Sequence, residues 1–133
     1  MNHRNRFQDY RAPAFYMITM TAHLRRPLFA TCADNRSTLN KDGWLVYNLW
    51  HAMPQTYKEV ATSTLVIMPD HLHGIVRVKE TMPQSVGVPL RAFKSQVTSA
   101  FRKKYDNPDF TVWNPGYHDL HFRGVCTSEG SGL

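Results

Sequence analysis

His71 and His73, one residue apart in Met68-Pro69-Asp70-His71-Leu72-His73-Gly74, are the residues whose type and spacing most directly suggest chemistry. They stand between two apolar runs, Thr64-Leu65-Val66-Ile67 and Ile75-Val76-Arg77-Val78, and the pattern reads as a strand of a buried sheet. Residues i and i+2 of a strand share a face, so two imidazoles at this spacing can converge on one divalent ion. That face continues through Ile75, whereas Leu72, Gly74, Val76 and Val78 take the other. Imidazoles on a partly apolar surface need partners, because an unpaired buried polar group costs about 1–3 kcal/mol. A metal ion would satisfy both rings; two solvated histidines on an exposed strand are the plainer alternative. Asp70 either orients an imidazole by accepting its free N–H or serves only as the turn residue after Pro69.

With 133 residues, 42% of them hydrophobic and 12% aromatic, the chain has the size and composition of one domain with a substantial core. A net charge of +6 favours a polyanionic partner. Cys32 and Cys126 lie far apart and lack any CxxC spacing, which argues against a disulfide framework. Behind the basic start Met1-Asn2-His3-Arg4-Asn5-Arg6 there is no apolar signal core, and no run approaches 18 apolar residues. A soluble, cytoplasmic protein with no membrane partner is therefore expected.

The elements that must position the histidines follow from pattern. Ala14 to Thr21 is rich in β-favouring residues and reads as a first strand. Arg25-Arg26-Pro27 marks a basic loop, with Leu28-Phe29 anchoring its far side. From Asn40, a potential helix cap, Leu45, Val46, Leu49, Trp50 and Met53 recur at spacings of three and four until Pro54. Val60 to Met68 and His71 to Lys79 form a hairpin about Pro69-Asp70. Pro89 suits the first turn of a second helix, whose apolar stripe is Leu90, Phe93, Val97, Ala100 and Phe101. A final extended piece is expected around Phe110 to Trp113. This order predicts an α+β ferredoxin-like sandwich: an antiparallel sheet with two helices on one face, and the histidines on a central strand of the open face.

The second helix also carries Arg91, Lys94, Thr98 and Arg102 on one side, continuing into Lys103 and Lys104. Together with Arg25 and Arg26 these are the candidate DNA contacts, through phosphates and without sequence readout. A solvated helix face is the alternative. Trp113, Tyr117 and Phe122 are candidate surfaces on which unpaired bases could stack, or packing residues.

Three blocks then carry a resemblance: Ile67 to Ile75, Leu90 to Thr98, and Val112-Trp113-Asn114-Pro115-Gly116-Tyr117-His118-Asp119. In this order, spanning roughly Phe15 to Arg123, they resemble the REP-associated tyrosine transposases, single-tyrosine HUH transposases of the IS200-like superfamily. The resemblance implies a nuclease and strand transferase acting on hairpin-bearing single-stranded DNA, working as a homodimer. His71 and His73 would hold a divalent metal, Mg²⁺ or Mn²⁺, while a tyrosine attacks phosphorus. Imidazole nitrogens suit Mn²⁺ or Zn²⁺ better than Mg²⁺, although substrate oxygens could complete a harder shell.

In related transposases the nucleophilic tyrosine lies on a charged helix that follows the third block. Here the resemblance ends near Phe122-Arg123, and residues 124–133 form a Gly- and Ser-rich tail with no tyrosine and no helical periodicity. The expected division is thus a transposase-like domain over 1–123, truncated or frame-shifted at its end, and an irregular tail over 124–133. Tyr117 is the nearest substitute nucleophile, Tyr105 a weaker one, and the expected copy has weak or no cleavage. His118 and His121 are either additional ligands or solvated imidazoles. Two other classes stay open: an RNA-recognition-type binding module, and a metal-dependent hydrolase of small molecules with a closed pocket.

Overall fold

Alternation along the first strand decides which side of the sheet becomes core. In β1 (Ala14–Thr21) Ala14, Tyr16, Ile18 and Met20 are buried, which turns Phe15, Met17, Thr19 and Thr21 to the other face. The computed structural model describes residue 11 and residues 13–122, the side chains of 120–122 excepted. After a 3-10 turn at His23–Arg25 come β2 (Ala30–Ala33) and β3 (Arg36–Leu39), then α1 (Lys41–His51), the short α2 (Met53–Thr56), β4 (Val60–Met68), β5 (His71–Val78), α3 (Gly87–Lys104) and β6 (His118–Phe122). The main sheet is antiparallel with order β4-β5-β1-β6. Set aside the β2–β3 hairpin, and the order strand, helix, strand, strand, helix, strand is the expected ferredoxin-like sandwich.

The helices form where their caps and stripes place them. Asn40 accepts from the Gly43 N–H at 2.8 Å and donates to the Leu28 carbonyl at 3.0 Å, so it caps α1 and ties it to the preceding loop. Val46 and Trp50 from α1 and Leu90, Phe93, Val97 and Phe101 from α3 are buried against one face of the sheet with Leu72, Val76 and Val78. Pro54 does not end the helical path; it opens α2, where a missing N–H costs nothing. Among the described residues no helix is long and apolar enough to cross a membrane.

Two local expectations are corrected. The last strand is β6, not Phe110 to Trp113: Trp113 makes a single bridge to Ala22, and its ring packs 5.2 Å from Phe29. Gly116, at φ 70°, allows the turn after Pro115 that brings β6 alongside β1. The second difference is the β2–β3 hairpin itself, turned by Asp34 and Asn35 with φ of 52° and 61°. Successive positive φ values are what a two-residue hairpin turn requires, and Asp and Asn tolerate them. The expected boundary between 123 and 124 lies outside the described residues.

Candidate metal centre and nucleic-acid interface

β5 lies between β4 and β1, and its alternation places Leu72, Gly74, Val76 and Val78 under the helices. His71, His73, Ile75 and Arg77 therefore share the open face. The two imidazoles meet: their Nε2 atoms are 3.1 Å apart and the rings stand at 79° with centroids 4.7 Å apart. Each outer nitrogen has a partner. His71 Nδ1 lies 2.8 Å from Asp70 Oδ1, and His73 Nδ1 lies 3.0 Å from the Thr19 hydroxyl.

Asp70 is itself fixed at the hairpin turn. Arg25 Nε donates to its other oxygen at 3.1 Å, and its backbone carbonyl accepts from the Ala22 N–H at 2.8 Å. The hydrogen bond from His71 holds the Asp70 carboxyl below the usual carboxylate range, and the charge of Arg25 adds to this. An ionised Asp70 can only accept, so the hydrogen between them sits on His71 Nδ1, and Nε2 is the nitrogen turned toward His73. Burial, and then the neighbouring His71, push His73 below the usual histidine value. Its imidazole is thereby favoured in the neutral form that a metal requires.

This donor set fits a divalent cation. Imidazole nitrogens about 2.1 Å from one ion and at right angles lie about 3.0 Å apart, close to the spacing seen here. Asp70 and Thr19 can fix both rings with Nε2 inward, as outer partners of metal-binding histidines do. Among the described residues no third His, Cys, Asp or Glu completes the group.

The candidate DNA contacts fall near one end of the sheet and on α3. Arg25 is exposed beside Asp70. Arg26 donates from Nε to the His23 carbonyl at 3.2 Å, from its terminal nitrogen to the Thr111 carbonyl, and lies 5.0 Å over the Phe110 ring. Lys94 donates to the carbonyls of Asn114 at 3.0 Å and Gly116 at 2.7 Å, and Arg102 to that of Phe110 at 2.9 Å. These side chains thus anchor the segment between α3 and β6, along a cleft of about 350 Å³ lined by Lys94, Thr98, Arg102 and Asn114. That segment passes the end of β1, where the Asn114 N–H donates to the Thr21 carbonyl at 2.9 Å. Thr21 is opposite His71, so the segment that lines the cleft reaches the end of the sheet at which the imidazole pair lies. Arg91 and Lys103 are exposed on α3, and Lys104 pairs with Asp42 at 2.5 Å.

Trp113 and Tyr117 are core residues, 7% and 5% exposed, and are not surfaces for stacking. The Tyr117 hydroxyl lies beside Gly87 at the start of α3, on the helix side of the sheet, while the Tyr105 hydroxyl donates to Asp42. Neither candidate nucleophile faces the histidine pair. His118 is exposed and in register with Thr19, hence on the same face as His73 with one strand between them. The side chains of His121 and Phe122 lie outside the described residues. Sequence reasoning missed Thr19 as a partner of His73, and missed Arg77, which continuing the alternation two residues past Ile75 would have placed on the same face.

No family model matches the chain. A curated relative, an uncharacterized protein of Haemophilus influenzae, is 29% identical over 136 residues, covering 87% of this chain and 74% of its own length. Among solved structures, a candidate transposase from Deinococcus radiodurans R1 superposes with a TM-score of 0.58 at 16% identity, over 97% of this chain and 89% of that one. A REP-associated tyrosine transposase bound to a REP hairpin gives 0.58 at 17% identity, over 92% of this chain and 64% of that one. The fold is therefore shared with these transposases across nearly the whole of the present chain.

Proposed function

From that shared fold and the histidine pair on its open face, we propose that the protein holds a divalent cation through His71 and His73 and binds hairpin-bearing single-stranded DNA. The observation that carries this is the 3.1 Å approach of the two Nε2 atoms, with both outer nitrogens backed by Asp70 and Thr19. When bound, such an ion polarises a scissile phosphate and offsets the charge that builds on its oxygens. The chain's own part is to keep both rings turned inward and to offer cations to the backbone. Arg25, Arg91, Arg102, Lys103 and Lys104 are exposed, whereas DNA contact by Arg26 and Lys94 would draw on half-buried groups already bonded to carbonyls within the chain.

Metal-assisted cleavage and strand transfer through a tyrosine is the reaction such a site serves. Neither candidate nucleophile is turned toward the histidine pair: the Tyr117 hydroxyl lies beside Gly87 and that of Tyr105 on Asp42. We assign this chain metal and hairpin binding, with neither Tyr117 nor Tyr105 as the nucleophile, acting as a homodimer as the resemblance implies. Incubating the protein with a hairpin-bearing oligonucleotide and Mn²⁺ tests this. Retention that needs Mn²⁺ and is lost in His71→Ala and His73→Ala is expected, with no covalent adduct that depends on Tyr117 or Tyr105. An adduct abolished by Tyr117→Phe would overturn the exclusion of Tyr117; metal-independent retention of RNA would favour the RNA-recognition-type alternative.

A further inference from the structure

Beyond the imidazoles, the open face continues along β5 to Arg77, four residues and about 13 Å further on. Register sets Thr19 opposite His73, Met17 opposite Ile75 and Phe15 opposite Arg77. Between the two ends lies a groove of about 440 Å³ lined by Met17, Thr64, Val66, His73 and Ile75. It owes its shape to an irregularity in β4: between Thr62 and Leu65 the edge strand carries one residue more than β5 does across from it, beside Ile75. Bulges of this kind re-aim side chains and recur next to functional sites. Here Thr64 lines the groove and Val66 remains 47% exposed at its rim. At the far end the Arg77 guanidinium sits 5.6 Å over the Phe15 ring, beside a second hollow of about 210 Å³ that includes Lys79.

We propose that this strip seats single-stranded DNA, with one nucleobase in the groove beneath Val66 and a neighbouring phosphate on Arg77. The inference rests on the histidine pair being the metal centre at which the strand's phosphate lies. An apolar floor closed at one end by that centre and at the other by a cation, about 13 Å away, matches a single strand of about two nucleotides with a base on the floor and a phosphate at each end. Hydroxyls of Thr19 and Thr64 on the walls can meet the polar edge of a base whose ring lies on Met17 and Ile75. The Phe15 ring holds Arg77 in place, so less side-chain freedom is lost when a phosphate binds it. A second copy of the chain, or any apolar segment, would gain nothing from the charged end.

The test is fluorescence anisotropy of a hairpin oligonucleotide with a single-stranded flank, in Mn²⁺, scanned with single abasic positions. One abasic position is expected to weaken binding by the wild-type protein on the order of tenfold. Val66→Glu should weaken the intact oligonucleotide similarly and show no further loss at that position. Arg77→Ala should lower the slope of log affinity against log salt by about 0.7, the contribution of one phosphate contact on a single strand. Thermal unfolding checks that both variants are folded, and the abasic scan needs neither of them. If wild-type protein binds the oligonucleotide in a metal-dependent way but no abasic position matters, the strip is overturned and the metal centre stands. If wild-type protein does not bind, both fall. A wild-type dimer that Val66→Glu splits while DNA binding is unchanged makes the groove an interface between copies and overturns the proposal.

Discussion

Gly74 lies so close to Trp50 that a Cβ placed on it would stand 2.4 Å from Cζ2 of the indole. The two residues join the histidine strand to α1: Trp50 is fully buried, and the absence of a side chain at Gly74 lets its ring reach the backbone just past His73. Gly74→Ala therefore forces a rigid ring to move inside a packed core. A loss of about 1–3 kcal/mol is expected from such overpacking, read as a lower urea midpoint. Combining it with Trp50→Phe should cost less than the sum of the two single changes, because the clash is shared. An unchanged midpoint for Gly74→Ala would contradict this packing.

Asp70→Asn removes the charge that fixes the His71 tautomer while leaving a side chain of the same shape at the turn. Loss of an outer partner of a metal-binding histidine lowers metal affinity about 10–100-fold. Calorimetric titration with Mn²⁺ is expected to show a drop of that size, and His73→Ala a complete loss. Equal Mn²⁺ affinity in wild type and Asp70→Asn would mean that Asp70 acts only as a turn residue.

How much of this could be read from the chain depends on the range of the interaction. The shared face of His71 and His73 and the Asn40 cap involve neighbours two or three residues apart, so pattern alone located them. Thr19 meets His73 across 54 positions, and only the register of β1 against β5 brings them together. Lys94 was legible as part of a basic stripe, yet its partners are carbonyls of a segment whose path no periodicity records. The β2–β3 hairpin escaped because its strands are short and mostly exposed, which leaves no apolar alternation; the Asp34-Asn35 pair was its one local signal.

Asp42, 7% exposed in the first turn of α1, accepts from the Lys104 ammonium and the Tyr105 hydroxyl at the end of α3. Asp42→Ala removes this acceptor; Tyr105 is 46% exposed and its hydroxyl can turn to water, so a loss of about 0.5–1.5 kcal/mol, that of one hydrogen bond, is expected in denaturant unfolding. The hydrogen bond to Asp42 also holds the Tyr105 phenol above its ordinary value. Absorbance titration should accordingly find one tyrosine ionising at lower pH in Asp42→Ala than in wild type. A titration curve that does not move would argue that the bond does not persist in solution.

Lys94 gives the fold a dependence on alkaline pH. Burial pushes its ammonium down to about 8 from an ordinary value of 10.5, and a neutral amine still has two hydrogens for the Asn114 and Gly116 carbonyls. Between those two values the unfolded chain binds more protons at this residue than the folded one, so stability increases with pH across that window. Below about 8 both states are charged and the cost of burying the charge is fully present. The urea midpoint is therefore expected to be higher at pH 9.5 than at pH 7.5. Lys94→Met, which keeps the stem and removes the ionisable group, should flatten that rise. Tyr105, held up by Asp42, works in the opposite sense above pH 10, which is why the comparison stops short of it. A wild-type midpoint that is level or falling from pH 7.5 to 9.5 would show that the Lys94 ammonium is not penalised where it lies.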